Sequence, residues 1–156
     1  TMEIVERKAA QEGAPVYLYY FGYKSELKIP GTDYAIGTPH AMDITFKDGY
    51  FDLVFTSGVL IHINPADIKQ ALREIYRCSA GYIWGFEYYA QRYQEVLYRG
   101  ERNLLWKGDF PDMYAKLFPD LKTVKTKFLK YLYNDNVDEM YLLKKGTARR
   151  RAAVRG

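Results

Sequence analysis

Two stretches of this 156-residue chain end in residues that could move a proton or hold a hydroxylated ligand. The run FDLVF closes on Thr56, Ser57 and Gly58, small residues that leave hydroxyls and backbone groups free at the end of an apolar segment. His62 follows four residues later, and imidazole is the side chain that gives and takes a proton near neutral pH, so His62 is a candidate general base. Packed among Leu60, Ile61 and Ile63, it would equally serve as a hydrogen-bonded structural histidine. The second run, YIWGF, closes on Glu87, Tyr88 and Tyr89, an acid and two phenols suited to holding an acceptor hydroxyl. A lone Glu in an apolar strand also invites a structural ion pair. Further on, Arg99, Arg102 and Lys107 could clamp a carboxylate or phosphate, for which guanidinium is the better fork. Solvated loop charges are the alternative.

The elements that must position these residues can be read from the pattern. Phe51, Leu53, Val54 and Phe55 lack the alternation of a half-buried strand, which predicts a strand covered on both faces of a parallel sheet. Open α/β sheets bind ligands at the carboxyl ends of such strands. Asn64 is a suitable N-cap, Pro65 suits the first helical position, and Asp67 favours the positive end of the dipole. Ile68, Ala71, Leu72 and Ile75 then recur at helical spacing, and Tyr82–Tyr89 reads as the next strand. Strand, helix and strand give a right-handed βαβ unit.

Elsewhere the signals are weaker. Met2–Gln11 reads as a helix, Val16–Phe21 as a strand, and Gly22–Thr38 as loop with a short irregular strand. Residues 90–108 have no clean period and read as a long functional loop. Asp109 can cap a helix over Phe110–Phe118. Leu121–Leu132 and Val137–Leu143 predict an antiparallel hairpin across Asn134-Asp135-Asn136.

Composition bounds the class. The length suits one domain, residues 1–145, followed by a basic tail, 146–156. Six positive charges lie from Lys144 onward with no acid among them, so a net charge of +4 leaves the preceding body at −2. A nucleic-acid partner is therefore not expected, and the tail reads as a solvated end. Cys78 is the only cysteine, which excludes an intramolecular disulfide and suits the cytoplasm. No apolar run is long enough to span a membrane. No metal site is suggested.

Three blocks together resemble the class I S-adenosylmethionine-dependent methyltransferases, and within them the pseudaminic acid biosynthesis-associated methylase group. They are AMDITFKDGYFDLVFTSGVLIHINP, LREIYRCSAGYIWGFEYYA and YRGERNLLWKGDFPDMYAKLFPDLK. The resemblance implies an α/β fold with a three-layer Rossmann-like sheet and a C-terminal antiparallel hairpin. It also implies S-adenosylmethionine as cofactor and a small-molecule acceptor, a nonulosonic sugar or its precursor. His40, Ala41 and Met42 would lie beside the adenine, and Thr56, Ser57 and Gly58 under the methionine part. His62 would face the site. The twelve glycines include no G-x-G pair, so the glycine-rich turn of the family is not found and the sheet is expected to be incomplete at its N-terminal half. An open edge of that kind could pair two copies of the chain. A non-catalytic binding module built on the same fold is the alternative.

Overall fold

The computed structural model describes residues 41–146 together with two short strands, β1 (Leu27–Lys28) and β2 (Ala35–Ile36). The chain divides into two compact units, Thr1–Thr38 and Pro39–Gly156. In the first, β1 and β2 pair antiparallel, Leu27 opposite Ile36, inside the stretch expected to hold a short irregular strand. The helix expected over Met2–Gln11, the strand Val16–Phe21, His40 and the residues of the tail after Gly146 lie outside the described residues.

In the second unit the FDLVFTS run forms β3 (Phe51–Ser57), followed by a 3₁₀ turn (Leu60–His62) and helix α1 (Ile68–Cys78). The regular helix starts later than the Asn64-Pro65 signal predicts. Asn64 Oδ1 accepts from the amides of Ala66 (2.8 Å) and Asp67 (3.1 Å), which closes a separate turn through Pro65. Asp67 then stands at the N-cap of α1. Strand β4 (Ser79–Tyr88) begins directly after the helix and pairs parallel to β3, completing the βαβ unit.

The polar stretch that follows contains two short strands, β5 (Gln94–Glu95) and β6 (Trp106–Lys107), paired antiparallel. Their connection carries a tight turn in which Arg99 (φ 53°) and Gly100 (φ 83°) are both left-handed, while Tyr98 and Glu101 exchange backbone hydrogen bonds. This is the geometry of a two-residue hairpin turn matched to strand twist. Helix α2 (Phe110–Leu117) is capped as expected, Asp109 Oδ1 accepting from Asp112 N at 2.9 Å. Strands β7 (Leu121–Lys130) and β8 (Val137–Lys145) form the predicted hairpin. The four-stranded sheet runs β3-β4-β8-β7, with one parallel and two antiparallel pairs.

Both helices pack on one face of this sheet. Ile83, Tyr141 and Leu143 from the strands meet Ile68, Leu72 and Ile75 of α1 and Phe110 and Tyr114 of α2, all of them buried. Burying this set is the main term holding the unit together, at roughly 25 cal/mol per Å² of apolar surface. The opposite face holds Leu53, Phe55 and Tyr82, and no described element covers it. Leu53 and Phe55 are 49% and 45% exposed. The expectation that β3 is covered on both faces is therefore corrected for the described residues: α1 and α2 are the helices available, and both take the same side.

Two polar devices fix the C-terminal end of α1. Arg77 reaches back to the loop before β3, donating to the carbonyls of Ile44 (2.7 Å) and Phe46 (2.7 Å) and to Asp48 (2.9 Å). Glu74 pairs with Arg77 at 2.7 Å and accepts from Ile44 N at 2.9 Å, and these contacts hold its carboxyl below the usual range. Lys145 donates to the carbonyls of Tyr76 (2.9 Å) and Ser79 (2.8 Å), closing the helix at its negative end.

Candidate active site

Strand order brings the carboxyl ends of β3 and β4 side by side, Ser57 opposite Phe86. At Ser57 the chain must leave the sheet, and Gly58 does so with φ 63°, a left-handed conformation that glycine adopts without cost. Its amide donates to Phe86 O at 2.9 Å, so the turn is tied to β4. Below this edge opens a cavity of about 290 Å³. Ser57, Gly58 and His62 line it together with Tyr88, Tyr131 and Asp138. Tyr98 and Leu105 close it from the β5–β6 segment.

His62 is exposed and held by one contact that decides its chemistry. Its Nδ1 lies 2.8 Å from Leu104 O. A carbonyl only accepts, so Nδ1 carries the proton and Nε2 of the neutral ring keeps its lone pair. That is the state a general base needs. Tyr98 lies edge-on to the same ring, at 6.3 Å between centroids. The β5–β6 segment that supplies Leu104 and Tyr98 is itself anchored, since Tyr93 Oη donates to Ile63 O. Gly108 makes room for that anchor, because a Cβ there would come within 2.7 Å of the Tyr93 ring.

Glu87 occupies a different place from the one its sequence position suggests. Alternation along β4 turns its side chain to the helix-covered face, and the residue is 1% exposed. Its carboxyl borders the cavity from below and forms no ion pair; Oε1 accepts from Val59 N at 3.3 Å. Burial pushes its pKa up to about 7, against the pull of the Thr56 hydroxyl and the amides of Val59, Leu60 and Ile61. Thr56 is likewise turned inward and 5% exposed, beneath the cavity wall that Ser57 and Gly58 form.

Tyr88 lines the cavity, while Tyr89 packs edge-on against Phe128, 4.8 Å between centroids, outside it. Of the three cations, none lines the cavity. Lys107 Nζ sits 4.8 Å above the Tyr88 ring and bonds Asn136, and Arg99 lies 5.3 Å above the Tyr98 ring. Both therefore back the aromatic walls from outside. Arg102 is exposed just after the turn. Ala41 is buried and Met42 half-buried, and the Met42 carbonyl accepts from Gln70 at 3.4 Å. Neither lines the cavity.

Tyr98, Tyr131 and Asp138 were not singled out from the sequence. The signal that could have found Asp138 is register, since it pairs directly with Tyr88 across β4 and β8. Burial raises the Asp138 pKa, and Tyr131 and Lys107 oppose that shift. Among the described residues no group of three or more His, Cys, Asp or Glu could hold a metal ion, and no helix is long and apolar enough to cross a membrane. Cys78 is buried and burial raises its pKa, which suits a packing role.

Residues 23–83 match the family described as Methyltransferase domain, a match that begins upstream of Pro39, where the resemblance was read to start. No curated protein sequence matches the chain. Among solved structures, the chain is similar to the Burkholderia thailandensis 1,6-didemethyltoxoflavin-N1-methyltransferase with bound S-adenosylhomocysteine. That likeness has 13% identity and a TM-score of 0.56, covering 68% of this chain and 48% of that one. A SAM-dependent methyltransferase from Methanosarcina mazei is similar at 14% identity and a TM-score of 0.53, covering 94% and 79%. The [4+2]-cyclase SpnF is similar at 12% identity and a TM-score of 0.53, covering 70% and 56%. The chain thus spans about half the length of the Burkholderia methyltransferase and of SpnF. At these identities the likeness is one of fold. The described unit has the Rossmann-like α/β fold of the class I methyltransferases, and the presence of a cyclase among its neighbours means that the fold by itself does not fix the reaction.

Proposed function

We propose that this chain carries the acceptor side of an S-adenosylmethionine-dependent methyltransferase and that the cavity at the ends of β3 and β4 takes a small hydroxylated or amino acceptor. The observation that carries the reading is the His62 geometry. A histidine whose Nδ1 proton is committed to a backbone carbonyl presents a basic Nε2 on a ring that lines the cavity. The cofactor fits in part: Ser57 and Gly58 offer a hydroxyl and free backbone groups at a strand end, and a Cβ at Gly58 would meet nothing within 4 Å. They would hold its methionine end. When bound, S-adenosylmethionine supplies an electrophilic methyl on a sulfonium sulfur. The chain's own work is to orient the acceptor between Tyr88, Tyr98 and Tyr131, and to take its proton on Nε2 of His62.

The resemblance of the blocks AMDITFKDGYFDLVFTSGVLIHINP and YRGERNLLWKGDFPDMYAKLFPDLK to the pseudaminic acid-associated group supports a nonulosonic sugar or its precursor as acceptor, and the single cysteine supports a cytoplasmic setting. Hydroxyls of such a ring would meet Asp138 and His62, and its apolar face would meet the tyrosines. Calorimetric titration with S-adenosylhomocysteine tests the reading. Saturable one-to-one binding is expected, and no heat of binding at millimolar ligand would remove it.

A second reading, a non-catalytic binding module, is favoured by the exposure of Leu53, Phe55 and Tyr82 on one sheet face. It predicts concentration-dependent association in sedimentation without cofactor binding. A monomer that binds cofactor would argue against it.

A further inference from the structure

The turn that carries His62 has no cap of its own. Val59 stands at its N-cap and offers no side-chain acceptor, so the amides at the start of the turn need a partner from elsewhere. The partner comes from 28 residues away. Glu87 Oε1 accepts from Val59 N at 3.3 Å, and the amides of Leu60 and Ile61 add to the pull that favours its charged form. The neighbouring residue of β4 contributes a second tie, Phe86 O accepting from Gly58 N at 2.9 Å. At its far end the turn is held by His62 Nδ1 on Leu104 O.

We infer that Glu87 is a positioning residue for the proposed base: from the core side of β4 it fixes the Val59–Ile61 amides and thereby the orientation and tautomer of His62. Glu87 lines the cavity yet is 1% exposed, and its hydrogen bond to the turn gives it a role through His62. A buried acid next to an apolar core is costly, and no ion pair eases that cost here; the hydrogen bond from the Val59 amide offsets part of it and ties the turn to β4. The polar groups around it are Glu139, directly opposite on β8 and likewise buried, Tyr141 of β8, Tyr114 of α2, Tyr93 of the loop after β4 and the Thr56 hydroxyl of β3. None of them is a cation, so the amides of the turn are the positive partners of the carboxyl.

This inference rests on the reading of His62 as the base, but its test needs neither cofactor nor acceptor. The chain has two histidines, His40 and His62, so an imidazole-¹⁵N spectrum resolves each tautomer directly. In the native protein, above the imidazole titration, the Nδ1–H form of His62 is expected to dominate, against the Nε2–H form that a free imidazole prefers. Glu87→Leu should shift His62 to the Nε2–H majority while the chain stays folded by amide dispersion. Glu87→Gln keeps an acceptor oxygen and should retain the Nδ1–H form. A second measurement needs no variant: on raising pH, the Val59, Leu60 and Ile61 amide protons should move with the same midpoint as the Glu87 carboxyl carbon. An unchanged His62 tautomer in folded Glu87→Leu would overturn the inference, and so would Val59 and Leu60 amides that ignore the Glu87 titration. Failure of cofactor binding with these results intact would sink the methyl-transfer reading and leave the positioning role standing.

Discussion

Gly85→Ala should be among the most damaging single-methyl additions in the fold. Gly85 lies in the middle of β4 directly opposite Tyr141 of β8, and the tyrosine ring fills the space above it. A Cβ at Gly85 would stand 2.0 Å from Cζ, 2.2 Å from Oη and 2.5 Å from Cε1 of Tyr141. Carbon atoms pack at about 3.5–4.0 Å, so the ring would have to withdraw by roughly 1.5 Å. It has nowhere to go: Tyr141 is 1% exposed, and the ring of the fully buried Tyr114 lies 6.4 Å away between centroids. Overpacking of this kind costs about 1–3 kcal/mol, and a clash with the body of a ring belongs at the upper end, about 3 kcal/mol. For a chain of this size that is a fall in Tm of roughly 10 °C.

The assay is urea unfolding of four proteins: native, Gly85→Ala, Tyr141→Leu and the double variant. Leucine lacks the three clashing atoms, so Gly85→Ala should cost about 0.5 kcal/mol or less in that background, a coupling of about 2–3 kcal/mol. The reasoning fails if Gly85→Ala unfolds within about 0.5 kcal/mol of the native protein, or costs the same with Leu at 141.

Two further predictions follow from buried charge. Glu87 titrates near 4.5 when unfolded and near 7 when folded, so between those values the folded state binds the extra proton and stability falls as pH rises. The loss is complete above the folded pKa and amounts to about 3 kcal/mol; Glu139, which burial also pushes up to about 7, adds a loss in the same window, so denaturant unfolding from pH 4 to 8 should show both, Glu87→Gln should reduce the slope, and an unchanged slope in that variant would assign the effect elsewhere. Arg77→Lys should cost about 2 kcal/mol despite the retained charge, because an ammonium cannot meet Ile44 O, Phe46 O, Asp48 and Glu74 together; a cost under about 0.5 kcal/mol, or Ile44 amide exchange no faster than in the native protein, would contradict that.

The βαβ unit, the Asp109 cap and the β7–β8 hairpin were legible because each carries its own local signal: an apolar run, a helical period, an acid before Phe110-Pro111, an Asn/Asp turn. The β5–β6 pair was not. Two-residue strands leave no alternation to read, and the turn between them uses Arg99-Gly100 where Asn-Gly would have announced it. The site was legible in part. Ser57, Gly58, His62 and Tyr88 do share one cavity, since strand ends gather wherever neighbouring strands are parallel and in register. Glu87 shares that cavity from the helix-covered face, whereas Thr56, turned to the same face, is not among its lining; the apolar runs of β3 and β4 gave no clue which face was which. Tyr98, Tyr131 and Asp138 reach the cavity only through tertiary pairing, which local pattern does not encode.

If the edge formed by Ser57, Gly58 and His62 is a methyl-transfer site, it must respond to the cofactor in solution. Amide and imidazole chemical-shift mapping during titration with S-adenosylmethionine tests it most directly. The account predicts saturable shifts at Ser57, Gly58 and Phe86 and at the His62 ring on a single binding curve. Shifts that avoid these residues, or none at millimolar cofactor, would contradict it.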